Sequence, residues 1–283
     1  MFVVVPAFLK DPAGEERLRR TLSRFPSASS PVLVLVTQGR QFVGPSLPRS
    51  GTIIHEHFDN PIGKWAAIRR GLSLIPSGND GPVLLLDGDD PITDASMADV
   101  FAAASLRPDF LIGDRKEILL QADDQSSPQS RIFVEIFSNT LLLLILDSAQ
   151  RTSTLAPDIQ SGLYLLSDRA RRAIRLEYVH DYGGELALYY ELINAGFRSS
   201  NLSIEINQAT PSAYSIDKIL RSIARLPFFK SISSEKLLQA LELAPNVYAR
   251  FLEPNSQSSF EAEMSSALRA VFSNSPLTFG FQK

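Results

Sequence analysis

The residues best suited to chemistry follow a short apolar run: Pro82-Val83-Leu84-Leu85-Leu86 gives way at once to Asp87-Gly88-Asp89-Asp90. Gly88 lets the backbone turn, so the carboxylates of Asp87 and Asp89 can face one way. Side by side they repel each other unless a cation lies between them. Hard carboxylate oxygens select Mg²⁺ or Mn²⁺, ions that bind through one or two carboxylates and complete their shells on substrate phosphates. The chemistry on offer is a metal–diphosphate site with Asp87 and Asp89 as its ligands. The competing reading is a polar turn after a strand, since Asp-Gly is also a common turn dipeptide. Gly63-Lys64, at the start of an amphipathic segment, suits the same chemistry. A helix N-terminus offers backbone donors and a positive dipole end, and here an ammonium as well. Taken alone, Lys64 reads as a solvated surface lysine; with Asp87 and Asp89 following, phosphate contact is an equal reading.

Other polar residues fit the second half of such a site. In Asp158-Ile159-Gln160-Ser161-Gly162, Gln160 and Ser161 could hydrogen-bond a hydroxylated or phosphorylated ligand, and Gly162 would let it approach the backbone; the segment also reads as a plain turn. Arg115 and Arg131 are candidate phosphate clamps, or solubilising charges in polar loops. A transfer that takes a proton from its acceptor needs a base, and Asp181 and Glu185 are the candidates. Glu185 opens a helix, where a carboxylate is favoured simply as a dipole partner. His55 and His57 straddle Glu56 at the spacing of one strand face, a pair of metal-ligand types with no third ligand near; His180 precedes Asp181.

The elements that must position these groups alternate. Val3-Val4-Val5 and Val32-Leu33-Val34-Leu35-Val36 are apolar runs of buried-strand type, with a helix predicted between them over 14–24. Pro6 to Lys10 reads as the loop leaving the first strand. A short strand is expected at Thr52-Ile53-Ile54, then a helix bearing Trp65, Ile68, Leu72 and Ile75, the acidic strand, a helix over 94–106, and a strand over 109–115. Residues 116–131 are polar. A leucine-rich helix over 132–146 reads as a buried helix or as one in contact with a membrane face. A strand at 163–166, helices from 168 and from 183, and a final strand at Ser203-Ile204-Glu205-Ile206 complete the pattern. Alternating strands and helices argue for an α/β fold with a largely parallel sheet, and ligands of such sheets gather at the carboxyl ends of the strands. Beyond Pro211 three helical segments are expected, with no cluster of histidine or carboxylate. The expected organisation is one domain over 1–210 and a helical extension over 211–283 that packs or mediates homo-oligomers.

Composition narrows the class. With 283 residues, 44% of them hydrophobic, the chain can build a full core. A net charge of −3 gives no electrostatic footprint for nucleic acid. The absence of cysteine excludes disulfides, thiolate metal sites and cysteine nucleophiles. No stretch reaches the roughly 20 apolar residues of a membrane span, and the first residues read as a strand rather than a signal peptide, so a cytoplasmic protein is expected.

Several of these segments, over roughly the first 205 residues, resemble the nucleotide-sugar-dependent glycosyltransferases of the GT-A fold, in particular family-two enzymes such as dolichol-phosphate mannosyltransferases. The first strand ending in Pro6 is similar to that family's opening strand and proline. Asn60-Pro61-Ile62-Gly63-Lys64 through Gly71 looks like its glycine–lysine helix start, and Asp87-Gly88-Asp89 like its D-x-D metal motif. Gly113-Asp114-Arg115 resembles the next strand and its arginine. Asp158-Ile159-Gln160-Ser161-Gly162 resembles the acceptor-side D-x-Q-x-G segment, and Glu185 through Phe197 the closing helix element. Two segments depart from the pattern: Ala7-Phe8-Leu9-Lys10 replaces an asparagine–glutamate pair, and Thr37-Gln38-Gly39-Arg40 replaces an aspartate pair that helps hold the nucleotide. A late metal-binding histidine has no counterpart between Asn207 and Asp217.

The resemblance implies a GT-A, Rossmann-like, mainly parallel sheet with helices on both faces and a C-terminal helical extension. It implies a Mg²⁺- or Mn²⁺-dependent glycosyltransferase, inverting, that moves a sugar from a nucleotide-diphosphate donor. The acceptor would be small, such as a glycerate (a class also served by retaining synthases), or lipid-linked, such as a polyprenyl phosphate. Pro6, Ala7, Gly63, Lys64, Asp87, Gly88 and Asp89 would bind the donor; Arg115, Arg131, Gln160, Ser161 and Gly162 would bind the acceptor; Asp181 or Glu185 would be the base. Two alternatives stand beside it: a degenerate GT-A domain that binds a ligand or partner without catalysis, and a sugar-phosphate nucleotidyltransferase.

Overall fold

A computed structural model describes residues 1–25, 31–42, 52–89, 92–115, 128–146, 158–179, 182–207, 221–230, 232–233, 236 and 239–240; within 128–146, side chains are described at 135 and 137–146. The chain divides into two compact units, Met1–Ile118 with Asp158–Thr210, and Leu119–Pro157 with Pro211–Lys283. The breaks fall after residues 118, 157 and 210, and residues 119–157, which include the leucine-rich helix, group with the tail.

The first unit is built on a seven-stranded sheet. Its strands are β1 (Phe2–Leu9), β2 (Val32–Gly39), β3 (Ile53–Phe58), β4 (Val83–Leu86), β5 (Phe110–Asp114), β6 (Leu163–Leu166) and β7 (Ser199–Ser203). They lie in the order β3-β2-β1-β4-β6-β5-β7. Pairing is parallel except on both sides of β6, which runs antiparallel to β4 and β5. Its helices are α1 (Pro12–Ser23), α2 (Lys64–Ser73), α3 (Asp94–Ser105), α5 (Asp168–Ala173) and α6 (Gly184–Asn194). In the second unit, α4 (Pro128–Leu146) and α7 (Pro227–Lys230) are described.

The strand periodicity of two sorts the core into two layers. Val3, Val5, Leu33, Leu35, Leu84 and Leu86 face one side, where they meet Leu18, Leu22 and Phe25 at α1 and Met97 and Val100 of α3. Val4 and Val36 face the other side, against α2. There Gly71 permits unusually close packing, because a Cβ would stand 2.5 Å from Val4 Cγ1. Phe110, also on that side, packs edge-on against Tyr189 of α6 at 5.8 Å. Helices thus cover both faces, and the expected α/β fold with a mainly parallel sheet is found.

Three expected boundaries are corrected. β1 continues through Pro6 to Leu9 instead of ending in a loop; the β4 ladder stops at Val4, so the proline costs no bond on that side. β3 runs to Phe58, six residues long, with both histidines inside it. The last strand is Ser199–Ser203, not 203–206: as a solvated edge strand it carries no apolar alternation, while Ile204 is a buried core residue and Ile206 makes only an isolated bridge to Ile92. In α4, Leu141, Leu142 and Leu144 are buried in the protein, and no described helix is long and apolar enough to cross a membrane. The helical segments expected beyond Pro211 lie largely outside the described residues.

Candidate active site

Register brings the candidate residues together. Leu86, the last residue of β4, lies opposite Leu163, the first of antiparallel β6, so the residues just beyond, Asp87 and Gly162, meet at the strand ends. Gly162 has φ +76°, and a Cβ there would stand 2.5 Å from Asp87 Oδ2. Backbone conformation and space both require glycine. Gly88 is fixed by β1 on the other side, where a Cβ would be 2.9 Å from both the Pro6 carbonyl oxygen and Ala7 Cβ. Pro6 and Ala7 therefore support the acidic turn from behind, and Ala7 is buried.

Lys64 is the first residue of α2, whose N-cap, Gly63, has φ 89° and makes no side-chain cap bond. Its ammonium reaches across to two other elements. Nζ lies 2.9 Å from Asp87 Oδ2 and 2.6 Å from Oε1 of Glu185, the second residue of α6. Burial disfavours the Lys64 charge, but Asp87 and Glu185 outweigh it and hold its pKa above the ordinary value. The Asp87 carboxyl is pushed up: burial is the main cause, Lys64 opposes it, and the neighbouring charge of Asp89 adds to it. Asp89 itself is exposed. α2 and α6 hold this geometry by packing start to start, for a Cβ on Gly184 would lie 2.0 Å from Cε2 of the buried Trp65.

These residues suit a divalent ion. Asp87 and Asp89 supply hard oxygens from one turn, and the glycine at 162 leaves open a space beside Asp87 that any side chain would fill. Among the described residues no group of three or more histidine, aspartate or glutamate side chains forms a metal cage, so such an ion would draw its remaining ligands from substrate and water.

Four of the residues predicted to bind an acceptor, Arg115, Gln160, Ser161 and Gly162, are gathered at one turn. Arg115 Nε lies 2.7 Å from Asp158 Oδ2 and Nη2 lies 2.9 Å from Oδ1, a bidentate pair, and Nη2 also donates to the Gln160 carbonyl at 3.0 Å. The guanidinium thus pins the 158–162 turn to the end of β5. Gln160 and Ser161 are buried, with Ser161 Oγ turned onto the backbone of Leu163 at 3.3 Å. The Tyr164 hydroxyl donates to the Ile159 carbonyl and lies 3.4 Å from that of Glu185. Burial, with the charge of Glu185 next in weight, drives its pKa well up. Asp181, His180 and the Arg131 side chain lie outside the described residues.

Two residues at the strand ends escaped the sequence reading. Gln38, 2% exposed, accepts from the backbone N–H of Ile62 at 2.7 Å and of Gly63 at 2.9 Å. It holds the loop that presents Lys64. Phe8, at the end of β1, is 55% exposed, and its ring borders Gly39, where a Cβ would be 3.1 Å from Phe8 Cε2. An aromatic residue two past Pro6 was the available signal. His55 Nε2 and His57 Nδ1 each lie 2.9 Å from the same Thr37 hydroxyl; this contact accounts for their spacing on one strand face.

No protein-family model matches the sequence, and a search of curated proteins finds no significant match. Solved structures do match in fold. The glucosyl-3-phosphoglycerate synthase of Mycobacterium tuberculosis aligns at TM-score 0.51 and 14% identity, over 84% of this chain and 79% of that one. Its complex with Mn²⁺, uridine diphosphate and phosphoglyceric acid aligns at TM-score 0.51 and 14% identity, over 79% and 76%. A mycobacterial protein aligns at TM-score 0.54 and 16% identity, over 82% and 76%. The fold is that of the GT-A nucleotide-sugar glycosyltransferases.

Proposed function

We propose that this chain is a glycosyltransferase that takes a sugar from a nucleotide-diphosphate donor, with Mn²⁺ or Mg²⁺ held by Asp87 and Asp89. The observation that carries this reading is the convergence of Asp87, Lys64 and Glu185, from three elements, at the carboxyl end of a GT-A sheet. The bound cation would neutralise diphosphate charge as the sugar–phosphate bond breaks. The first turn of α2 and the Lys64 ammonium hold the diphosphate, and the exposed ring of Phe8 stacks on the base. The 158–162 turn, fixed by Arg115 and Asp158, seats a small anionic or lipid-phosphate acceptor beside Asp87. Support for a small acceptor comes from the synthase of similar fold crystallised with phosphoglyceric acid. In an inverting transfer the acceptor oxygen bonds to the anomeric carbon as the carbon–oxygen bond to the diphosphate breaks. Where the acceptor oxygen is a hydroxyl, its proton goes to a carboxylate, Glu185 or Asp181; a phosphate oxygen attacks as the anion and needs no base.

The test combines thermal shift, calorimetry and turnover. A nucleoside diphosphate should raise the melting temperature strongly only with Mn²⁺, by mass action on the native state. Asp89→Ala, at an exposed position, should abolish the Mn²⁺-dependent part of that shift and leave the unliganded melting temperature unchanged. An identical nucleotide shift in the variant would remove the metal assignment. A non-catalytic binding module is the second reading, favoured by one observation: Gln38, where the resembled family carries an aspartate for the nucleotide, is committed to the backbone of residues 62 and 63. Nucleotide binding without release of diphosphate from any donor in the presence of acceptors would select it.

A further inference from the structure

Lys64 stands where a cation is wanted. Its ammonium touches Asp87 Oδ2 at 2.9 Å and Glu185 Oε1 at 2.6 Å. The same Asp87 oxygen lies beside Gly162, where a Cβ would come within 2.5 Å, so glycine keeps that side clear. A divalent ion approaching Asp87 therefore meets an ammonium already on that carboxylate, and like charges repel more strongly as a site loses water. The helix supplies the other half of the argument. α2 has no acid in its first turn and no capping side chain of its own, so its positive end is left for an incoming anion.

We infer that Lys64 is a resident counter-ion of Asp87, and that a nucleoside diphosphate must draw it away before a divalent cation binds there fully. The inference rests on the transferase reading of the site. Cation alone binds weakly, because Lys64 competes for Asp87. Nucleotide alone lodges at the start of α2, because the Lys64 side chain can turn to it and the first helix N–H groups already face outward. Together the two ligands bind cooperatively, and each strengthens the other by the same factor.

The experiment measures Mn²⁺ affinity by calorimetry and electron paramagnetic resonance, without nucleotide, for the wild type and Lys64→Gln. Glutamine retains a hydrogen-bond donor and removes the charge; Lys64→Met is the second variant if the glutamine form proves unfolded in its melting curve. Mn²⁺ should bind Lys64→Gln about tenfold or more tightly than the wild type, while uridine diphosphate without metal should bind it more weakly. Equal or weaker Mn²⁺ affinity in folded variants, with the wild type still binding Mn²⁺ and uridine diphosphate together, overturns the counter-ion role and leaves the transferase reading standing. If no nucleoside diphosphate binds the wild type in a Mn²⁺-dependent way, both fall.

Discussion

A lysine in the first turn of a helix opposes the helix dipole, at a cost of roughly 0.3–1 kcal/mol at a surface site. Lys64 holds that position against this cost because two carboxylates face it. The pairing explains what was readable in the sequence and what was not. Asp87, Gly88 and Asp89 are adjacent, and Gly63-Lys64 opens a helix some twenty residues earlier, so local spacing exposed both. Glu185 lies 121 positions from Lys64, and no local pattern joins them. Gln38 and Phe8 were passed over because they stand in segments that depart from the resembled pattern, where local spacing signals a change but not its replacement. Phe8 makes a sharp test. With its ring 55% exposed, Phe8→Ala should leave the melting temperature unchanged and weaken nucleotide binding by roughly 1–3 kcal/mol, the worth of one stacked base. Titration of uridine diphosphate with Mn²⁺ into both proteins reads this directly.

At the scale of elements, the site depends on helices α2 and α6 abutting at their first turns. Gly184 is the contact, with Trp65 so close that no side chain fits between them. Gly184→Ala should cost about 1–3 kcal/mol in denaturant unfolding, as overpacked cores do, and should also weaken donor binding because Lys64 and Glu185 are carried on the same two turns. A variant as stable as the wild type would show that the helices can part freely. Strand positions were legible wherever both faces are buried, as in Val3-Val4-Val5 or Leu84-Leu85-Leu86. The edge strand Ser199–Ser203 was not, since its side chains are largely solvated and carry no periodic signal. The direction of β6 was equally hidden: four apolar residues, Leu163 to Leu166, read the same in either orientation.

For the whole molecule, one titrating group gives stability a pH dependence of known sign. Burial, then the nearby His57, lowers the pKa of His55 below its ordinary value. The native state therefore disfavours the proton that the unfolded chain accepts near pH 6.5. Above about pH 6.5 both states hold the ring neutral and this contribution is fully present. As pH falls from there through the lower native pKa, the unfolded state takes the proton first and stability declines. His55→Gln should flatten the unfolding free energy over that window, which denaturant melts at a series of pH values will show. The antiparallel β6 has a consequence in time as well as in space. Strands β4 and β5 emerge from synthesis early, yet in the finished sheet they are not neighbours, because β6 lies between them. Until residue 166 has been made, β4 keeps one edge with nothing to pair with and β5 keeps both, and the Gly162 turn beside Asp87 has no antiparallel strand to hold it. The nascent protein completes its first strand–helix–strand units well before it acquires the turn that flanks Asp87.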